Sequence, residues 1–236
     1  MSEWAPKRFY KDVTVEREGD QFSVRLDGRP VRTPGKRLLA MPHEAMAWNI
    51  AEEWRAQEDL IDPRTMPWTR SVNSAIDKVA SQRDEIIEHL TSYAGTDLLC
   101  YRAHGPAELV ARQSQDWDPL LDWVTQRYNV KLNVTSGVIP VVQRVETLER
   151  LHGTMRPMSD FELTGFYELV TLSGSFTIAL ASVEGVQPAD VLWKISRIDE
   201  TWQSEQWGVD EEAEEASNLK RDAFLHAFKF FQTAQQ

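Results

Sequence analysis

Two aspartates four residues apart have the clearest spacing for metal chemistry in this sequence. Asp118 and Asp122 lie in the segment 116–123, which reads DWDPLLDW. Side chains at this spacing share one face of a helix, so the two carboxylates could together hold Mg²⁺. The pattern allows a magnesium-dependent helical enzyme that acts on a diphosphate substrate. Such a site would also need a second acidic cluster and basic ligands for the phosphates.

The same segment has a structural interpretation, which we favour. Asp118 would be the N-cap of a helix, because its carboxylate can accept hydrogen bonds from the first backbone N–H groups. Pro119 would occupy the first helical position, where its missing N–H is not needed. Asp122 would then lie on the surface, and Trp117 and Trp123 would belong to the core.

A second acidic group lies between residues 199 and 215, in a stretch without lysine or arginine. Its eight members are Asp199, Glu200, Glu205, Asp210, Glu211, Glu212, Glu214 and Glu215. Trp202 and Trp207 lie among them, and large aromatic residues beside charge are typical of interface anchors. Two interpretations stay open: a solvated helix face with acids at a helix N-terminus, or an anionic docking surface for a basic partner.

Other signatures of enzymatic chemistry are missing from the sequence. It contains no glycine-rich phosphate loop, no GxSxG and no HExxH. The five histidines are far apart and none has a second ligand at helical spacing, so we expect no metal site. The single cysteine, Cys100, excludes an intramolecular disulfide, and its apolar neighbours predict a buried, unreactive thiol.

The composition is that of a folded protein, with 42% hydrophobic residues among 236. A net charge of −11, from 26 Lys and Arg against 37 Asp and Glu, argues against nucleic-acid binding. The longest uncharged apolar stretch, from Leu169 to Val183, is shorter than the roughly 20 residues of a membrane span. The first ten residues show neither an apolar signal region nor a presequence, so we expect a cytoplasmic protein.

The elements that carry these residues change type near residue 41. Between residues 8 and 41 short antiparallel strands are predicted, the first over 8–16, and Asp27-Gly28 is a hairpin dipeptide. From Pro42 onward apolar residues recur three and four positions apart, which predicts helices. The predicted fold is α+β, with a small N-terminal antiparallel β domain at residues 1–41 and a larger multihelical domain at residues 42–236.

Three helices are predicted around the acidic group. The first extends from a cap at Ser159 to about Ser182 and is apolar nearly all round, which is typical of a buried helix. The second begins at Pro188 and continues through Trp202, and the third begins near Asp210.

Tryptophan is unusually frequent, with nine residues. The spacing of Trp54 and Trp123 places them in the core, whereas Trp48, Trp68 and Trp207 could line an apolar groove.

Seven sets of residues, in order along the chain, resemble a known family. They are Lys7-Arg8-Phe9-Tyr10-Lys11, Leu26-Asp27-Gly28-Arg29 with Thr33-Pro34, AEEWRAQ at 51–57, Met66-Pro67 with Thr69-Arg70 and NSAID at 73–77, TDLLCYR at 96–102, WDPLLDW at 117–123, and Trp207-Gly208. Together they resemble the ATP synthase assembly chaperones that receive the α subunit of the catalytic F(1) head, known from mitochondria and α-proteobacteria.

The resemblance implies a small β domain and a larger helical domain, without catalysis or a cofactor. It implies one partner, the unassembled F(1) α subunit, whose β-facing interface the chaperone shields until the β subunit displaces it. It also places a functional glutamate in the helix that ends at Trp207-Gly208, for which Glu200 and Glu205 are the candidates. A general holdase, which would protect unrelated unfolding proteins, is a further alternative.

We therefore expect partner binding at Asp199, Glu200, Trp202, Glu205 and Trp207, and structural roles for Trp54, Asp118, Pro119 and Trp123. We expect a monomer that binds no nucleic acid and does not insert into membranes. Its expected place is the bacterial cytoplasm or, for a processed eukaryotic form, the mitochondrial matrix.

Overall fold

The computed structural model describes residues 7–137, 139–208 and 210–236. The chain forms two compact units, each made from more than one segment. Unit 1 comprises the described residues up to Arg83 together with Ser159–Gly165 and Lys229–Gln236. Unit 2 comprises Asp84–Met158 and Phe166–Phe228.

Six strands and ten α-helices are found in the described parts of the chain. In order they are β1 (Val13–Glu18), β2 (Gln21–Leu26), β3 (Arg29–Pro30), β4 (Ala40–Met41), α1 (Glu44–Arg55), α2 (Pro67–Asp77), α3 (Arg83–Gly95), β5 (Tyr101–Arg102), α4 (Ala107–Tyr128), β6 (Thr135–Ser136), α5 (Val145–Met155), α6 (Asp160–Ser173), α7 (Phe176–Val183), α8 (Ala189–Ile195), α9 (Ile198–Trp207) and α10 (Glu211–Ala234).

The antiparallel sheet of unit 1 is built on β2, which pairs with β1, β3 and β4. The predicted hairpin dipeptide is confirmed, since Asp27 and Gly28 both adopt positive φ between β2 and β3. The predicted first strand was too long, because β1 begins at Val13 and not at Arg8. The backbone N–H groups of Lys11 and Asp12 donate instead to the Asp27 carboxylate, at 3.0 and 2.9 Å.

Helices α1 and α2 follow the sheet and pack in the same unit. Their apolar faces join the inner face of the sheet in one core, whose members include Val24, Leu39, Met41, Met46, Ile50, Val72 and Phe230. Sheet and helices together confirm the α+β class. The domain boundary after residue 41 stays a prediction, because it was drawn where the sequence period changes, whereas the compact units are defined by contacts between residues.

Unit 2 surrounds helix α7, which is buried along almost its whole length. The predicted single helix from Ser159 to Ser182 is wrong, because Gly174 at φ +72° interrupts it between α6 and α7. Ser175 then caps α7 by accepting a hydrogen bond from the Ile178 N–H at 3.0 Å. The cap predicted at Ser159 is confirmed, since the Glu162 N–H donates to its hydroxyl at 3.2 Å.

Helix α4 passes through the Asp118-Pro119 pair without interruption. The prediction that Asp118 is an N-cap and Pro119 a first helical residue is therefore wrong. The Asp118 carboxylate forms an ion pair with Arg102 at 2.7 Å instead of capping a helix. The predicted helix from Pro188 through Trp202 is also two helices, α8 and α9, separated at Ser196 and Arg197.

A search of the described residues for a helix long and apolar enough to cross a membrane found no candidate.

Candidate interaction surface

The two aspartates with magnesium-binding spacing lie together on the exposed side of α4. Asp118 is committed to the ion pair with Arg102, a residue that is itself buried and also donates to the Leu99 carbonyl at 3.0 Å. Asp122 is exposed. Over the ranges that the structure describes, no three His, Cys, Asp or Glu side chains come close enough to share a metal ion. This pair therefore lacks the further ligands that a magnesium–diphosphate site requires.

Of the three tryptophans predicted to be in the core, Trp117 is confirmed, whereas Trp54 and Trp123 are only half-buried. Trp54 of α1 is half-buried against the core of unit 1, with its ring centroid 5.6 Å from that of Tyr10. The Tyr10 hydroxyl donates to the Trp54 carbonyl at 2.7 Å. Trp123 of α4 is also half-buried and contacts Tyr128, with ring centroids 6.0 Å apart. The fully buried tryptophan is Trp117, whose indole N–H donates to the Ile195 carbonyl at 3.0 Å.

Three of the five residues predicted to bind a partner are carboxylates at fixed positions on α9. Asp199 accepts a hydrogen bond from the Gln113 side chain of α4 at 2.6 Å. Glu200 forms an ion pair with Arg197, one turn earlier, at 2.9 Å. These contacts hold the first turn of α9 in place, and they leave the Glu200 side chain more than half exposed.

Glu205 binds α4 more specifically than the other two. Its two carboxylate oxygens accept from the two terminal nitrogens of Arg112 at 2.9 and 3.0 Å. Such a two-pronged pair fixes orientation as well as distance. The Arg112 guanidinium holds the pKa of the Glu205 carboxyl below its usual range, so this residue is ionised at neutral pH. The pair joins residues 93 positions apart, and no local sequence pattern indicates it.

The two tryptophans of α9 differ in exposure. Trp202 is half-buried, whereas Trp207, the last residue of the helix, is 78% exposed. Trp48, the other exposed tryptophan in the described chain, is held by the Glu44 carboxylate and lies under the Arg55 guanidinium. No such contact is found for Trp207 within the described ranges. Gly208 follows it at φ +94°, which ends the helix.

The first half of α10 carries further exposed carboxylates. The predicted helix start near Asp210 is confirmed, because the Asp210 carboxylate accepts from the Glu212 and Ala213 N–H groups at 3.0 and 3.2 Å. The four glutamates at 211, 212, 214 and 215 are all exposed, and so is Leu219. An open groove runs between this helix and α9. Its lining residues are Arg197, Glu200, Thr201, Ser204, Asp210, Ala213, Glu214, Ala216, Ser217, Asn218 and Lys220.

We call α9, the first half of α10 and the groove between them the acidic surface. Glu200, Asp210 and Glu214 line the groove together with the cations Arg197 and Lys220, and Trp207 is exposed at the end of α9. Sequence reasoning missed Arg112, Gln113 and Arg197, which hold the carboxylates in place. The surface offers charge and exposed apolar side chains to a partner.

Comparisons with known proteins agree on one family. The profile of the ATP12 chaperone protein family matches residues 7–125. Atp12 from Paracoccus denitrificans, known from a crystal structure, is 45% identical, with a TM-score of 0.93 over 98% of this chain and 100% of that one. Atu1473 from Agrobacterium tumefaciens is 38% identical, with a TM-score of 0.92 over 97% of this chain and 86% of that one.

A curated relative gives the same result at lower identity. Protein atp12, mitochondrial, from Schizosaccharomyces pombe is 25% identical over 224 residues, which are 90% of this chain and 77% of the relative. The family resemblance seen in the sequence is therefore confirmed, and the magnesium-dependent enzyme is set aside. The chain belongs to the ATP12 chaperone family and is an assembly chaperone for F1-ATPase, not an enzyme.

Proposed function

We propose that this chaperone binds the unassembled α subunit of F(1) and covers the surface that α presents to β in the finished enzyme. The observation that carries the proposal is the acidic surface, in which an exposed tryptophan without a contact among the described residues lies on the same helix as fixed carboxylates. An exposed tryptophan beside charged residues has the composition of an interface hot spot. The matching client surface would be basic with an apolar pocket.

Physical chemistry explains why an α subunit needs such a partner and how it is released. An obligate interface resembles a domain core cut in half, so an orphan subunit exposes an apolar patch that promotes aggregation. The chaperone must cover the patch and still yield to the β subunit, which requires a weaker complex on an overlapping surface. Charged residues around a small apolar centre favour fast, salt-sensitive capture without the tightest affinity.

We further propose that the chaperone acts as a monomer, in the bacterial cytoplasm or the mitochondrial matrix. The relatives from Paracoccus, Agrobacterium and fission yeast mitochondria support these two locations.

The proposal is tested by co-purification with isolated F(1) α subunit and, in parallel, with isolated β subunit. We expect binding to α alone, and loss of the complex when β is added. Chemically unfolded, unrelated proteins are the control for general holdase activity and should not be retained. Retention of β or of the unrelated proteins, or no retention of α, would contradict the proposed function.

Replacement of Trp207 by alanine should weaken α-subunit binding about 30-fold, equivalent to the roughly 2 kcal/mol of a hot spot. The side chain has no described partner within the chain, so the fold should be unchanged. Affinity is measured by titration calorimetry or by fluorescence anisotropy of labelled α. The matched control is Trp48→Ala. Trp48 is the other exposed tryptophan of the described chain, and it lies in unit 1. Equal loss in both variants, or no loss in either, would remove Trp207 from the binding site.

The role of Glu205 can be separated from that of its ion pair with Arg112. A single charge reversal, Glu205→Lys, would both remove a surface carboxylate and place two cations together, so it cannot distinguish the two roles. The double variant Arg112→Glu/Glu205→Arg keeps the pair and exchanges the positions of its charges. If the carboxylate contacts the client, both the single and the double variant should bind α about tenfold more weakly.

Rescue of binding by the exchanged pair would instead assign Glu205 to positioning α9. Glu200→Gln is the companion variant, because it removes the charge without opposing Arg197. Circular dichroism of each variant checks that the helices are retained.

A further inference from the structure

Unit 2 carries a second groove, between the end of α4 and the start of α5, whose charge is opposite to that of the acidic surface. Its lining residues are Thr125, Asn129, Val130, Lys131, Arg144, Val145, Glu146, Thr147 and Arg150. Three cations therefore face one carboxylate, in a chain whose net charge is −11. We call this groove the basic groove.

The three cations of the basic groove form no ion pair with the described carboxylates. Across residues 7–137, 139–208 and 210–236, no ion pair involves Lys131, Arg144 or Arg150. Arg150 donates to the Asn129 carbonyl at 2.6 Å, which fixes its position and leaves its charge uncompensated. Lys131 and Arg144 are exposed. Their charges are therefore available to an anionic group from another molecule.

Buried polar side chains fix the walls of the groove. Gln143, only 5% exposed, accepts from the Asn133 N–H at 2.8 Å and donates to the Asn133 carbonyl at 2.9 Å. The Asn133 side chain returns a hydrogen bond to the Val142 carbonyl at 2.9 Å. These hydrogen bonds join the segment before α5 to the segment after α4. Arg144 and Lys131 therefore lie next to residues whose positions are fixed by hydrogen bonds. Preorganised charges bind with a smaller loss of conformational entropy.

Four aliphatic side chains are exposed in the segment that joins the two walls of the groove or on the groove itself, where Val145 is one of the lining residues. Ile139 is 73% exposed and Val142 is 84% exposed, and Val134 and Val145 are exposed as well. Within 12 residues of sequence the chain thus presents four large aliphatic side chains to solvent. Exposed aliphatic side chains are available for contact with an apolar residue of a partner.

We propose that the basic groove is a second contact site for the client and receives an acidic segment that also carries an apolar side chain. This inference rests on the proposed function, because it names the α subunit as the source of that segment. Charge complementarity supports this occupant: uncompensated cations fit carboxylates, and the neighbouring valines and isoleucine fit an aliphatic residue. Two contacts of opposite sign on one unit also fix the orientation of the client, which a single charged surface cannot do. Once the client is bound at one site, the effective concentration of its second segment at the other site is raised.

The test compares two double variants that change the net charge equally. Lys131→Glu/Arg144→Glu reverses the basic groove, whereas Lys11→Glu/Lys78→Glu reverses two exposed lysines of unit 1. We expect the groove variant to bind isolated α subunit about tenfold more weakly and the control variant to bind like the wild type. Unchanged α binding by the groove variant would overturn the inference and leave the proposed function standing.

A peptide probe tests the basic groove without the α subunit. A labelled ten-residue peptide of alternating glutamate and leucine should bind the wild type and the control variant, and should fail to bind the groove variant. If the peptide binds in this way but α does not, the proposed function fails while the basic groove is retained as an acidic-segment site.

Two further results would overturn the inference. Displacement of the peptide by an equal concentration of inorganic phosphate would show that the groove takes free anions. A change in oligomeric state of the groove variant alone, seen by sedimentation velocity, would identify a second copy of this chain as the occupant.

Discussion

Replacing Asp97 with alanine should lower the free energy of unfolding by about 4 kcal/mol. Asp97 is fully buried in unit 2, directly after α3. One carboxylate oxygen accepts from the Leu99 N–H at 3.0 Å and the Ser175 hydroxyl at 2.7 Å, and the other accepts from the Thr177 N–H at 2.8 Å. Alanine would leave these donors buried without an acceptor. Urea denaturation followed by circular dichroism measures the effect.

Two further substitutions show whether the carboxylate itself is required. Asp97→Asn should also destabilise the protein, because its NH₂ group would face a backbone N–H at one of the two oxygen positions. Asp122→Ala removes an exposed aspartate of the same unit and should leave the unfolding midpoint unchanged. An asparagine variant as stable as the wild type would show that shape, not acceptor capacity, is what this site needs.

The pH dependence of the Asp97 contribution has a defined sign. Burial raises the pKa of the Asp97 carboxyl, and the hydrogen bonds from Thr177, Leu99 and Ser175 oppose that rise. A raised folded-state pKa means that the native protein binds a proton more tightly than the unfolded chain does. The stability gained in this way is present below the ordinary aspartate pKa and is lost as the pH rises through the folded value. The wild type should therefore lose stability relative to Asp97→Asn as the pH rises above about 4. A gain would contradict the raised pKa.

Replacing Glu53 with alanine should destabilise the protein by about 3 kcal/mol. Helix α2 has no capping side chain of its own. Glu53, from the last turns of α1, takes that role by accepting from the Trp68 N–H at 2.6 Å, the Thr69 N–H at 2.8 Å and the Thr69 hydroxyl at 2.7 Å. Its removal leaves buried donors at the start of α2 and loosens the contact between the two helices.

The neighbouring residue supplies the control. Glu52 is exposed and pairs with Arg55 of the same helix at 2.6 Å, so Glu52→Ala should barely change the unfolding midpoint. Thermal and urea unfolding of both variants give the comparison. Equal effects at the two positions would indicate a general loss of α1 helicity rather than loss of the cap on α2.

The sets of residues that carried the family resemblance meet one another in the fold. The Thr33 hydroxyl and the Gly35 N–H both donate to the Asp77 carboxylate, at 2.8 and 2.7 Å. A side chain at Gly35 would come within 2.6 Å of that carboxylate. The bond from Thr69 to Glu53 joins a further set, AEEWRAQ at 51–57, to the set that contains Asp77. These residues form hydrogen bonds that hold the elements of unit 1 together. The sets of residues therefore carry information about the fold and the family, and less about the candidate site.

Helix boundaries were predicted less well, for physical reasons that local sequence does not contain. Proline is tolerated inside α4 at position 119, and the neighbouring Asp118 is bound by Arg102 from 16 residues earlier. The break between α6 and α7 depends on the positive φ of Gly174. A glycine permits such a break without requiring it, and buried Asp97, which binds the first turn of α7, favours it.

The candidate site was predictable in composition but not in geometry. The acidic stretch and its tryptophans were visible in the sequence, whereas the pairing of Glu205 with Arg112 depends on the packing of α9 against α4. The basic groove was not predicted at all. Its three cations are spread over residues 131–150, and the negative charge of the whole chain conceals them in any composition-based reading.

The uneven burial of α10 has a consequence for how the acidic surface is presented. Residues 211–216 are exposed on every side, whereas Phe224, Phe230 and Phe231 are fully or almost fully buried. A short isolated helix made of residues 211–216 alone would be unstable in water, because nucleation of the first turn is unfavourable. Here the buried half acts as a permanent nucleus, and the exposed turns form by propagation from it, closed at the far end by Asp210. The acidic turns are therefore already helical before a partner binds. Docking need not include the entropic cost of folding them.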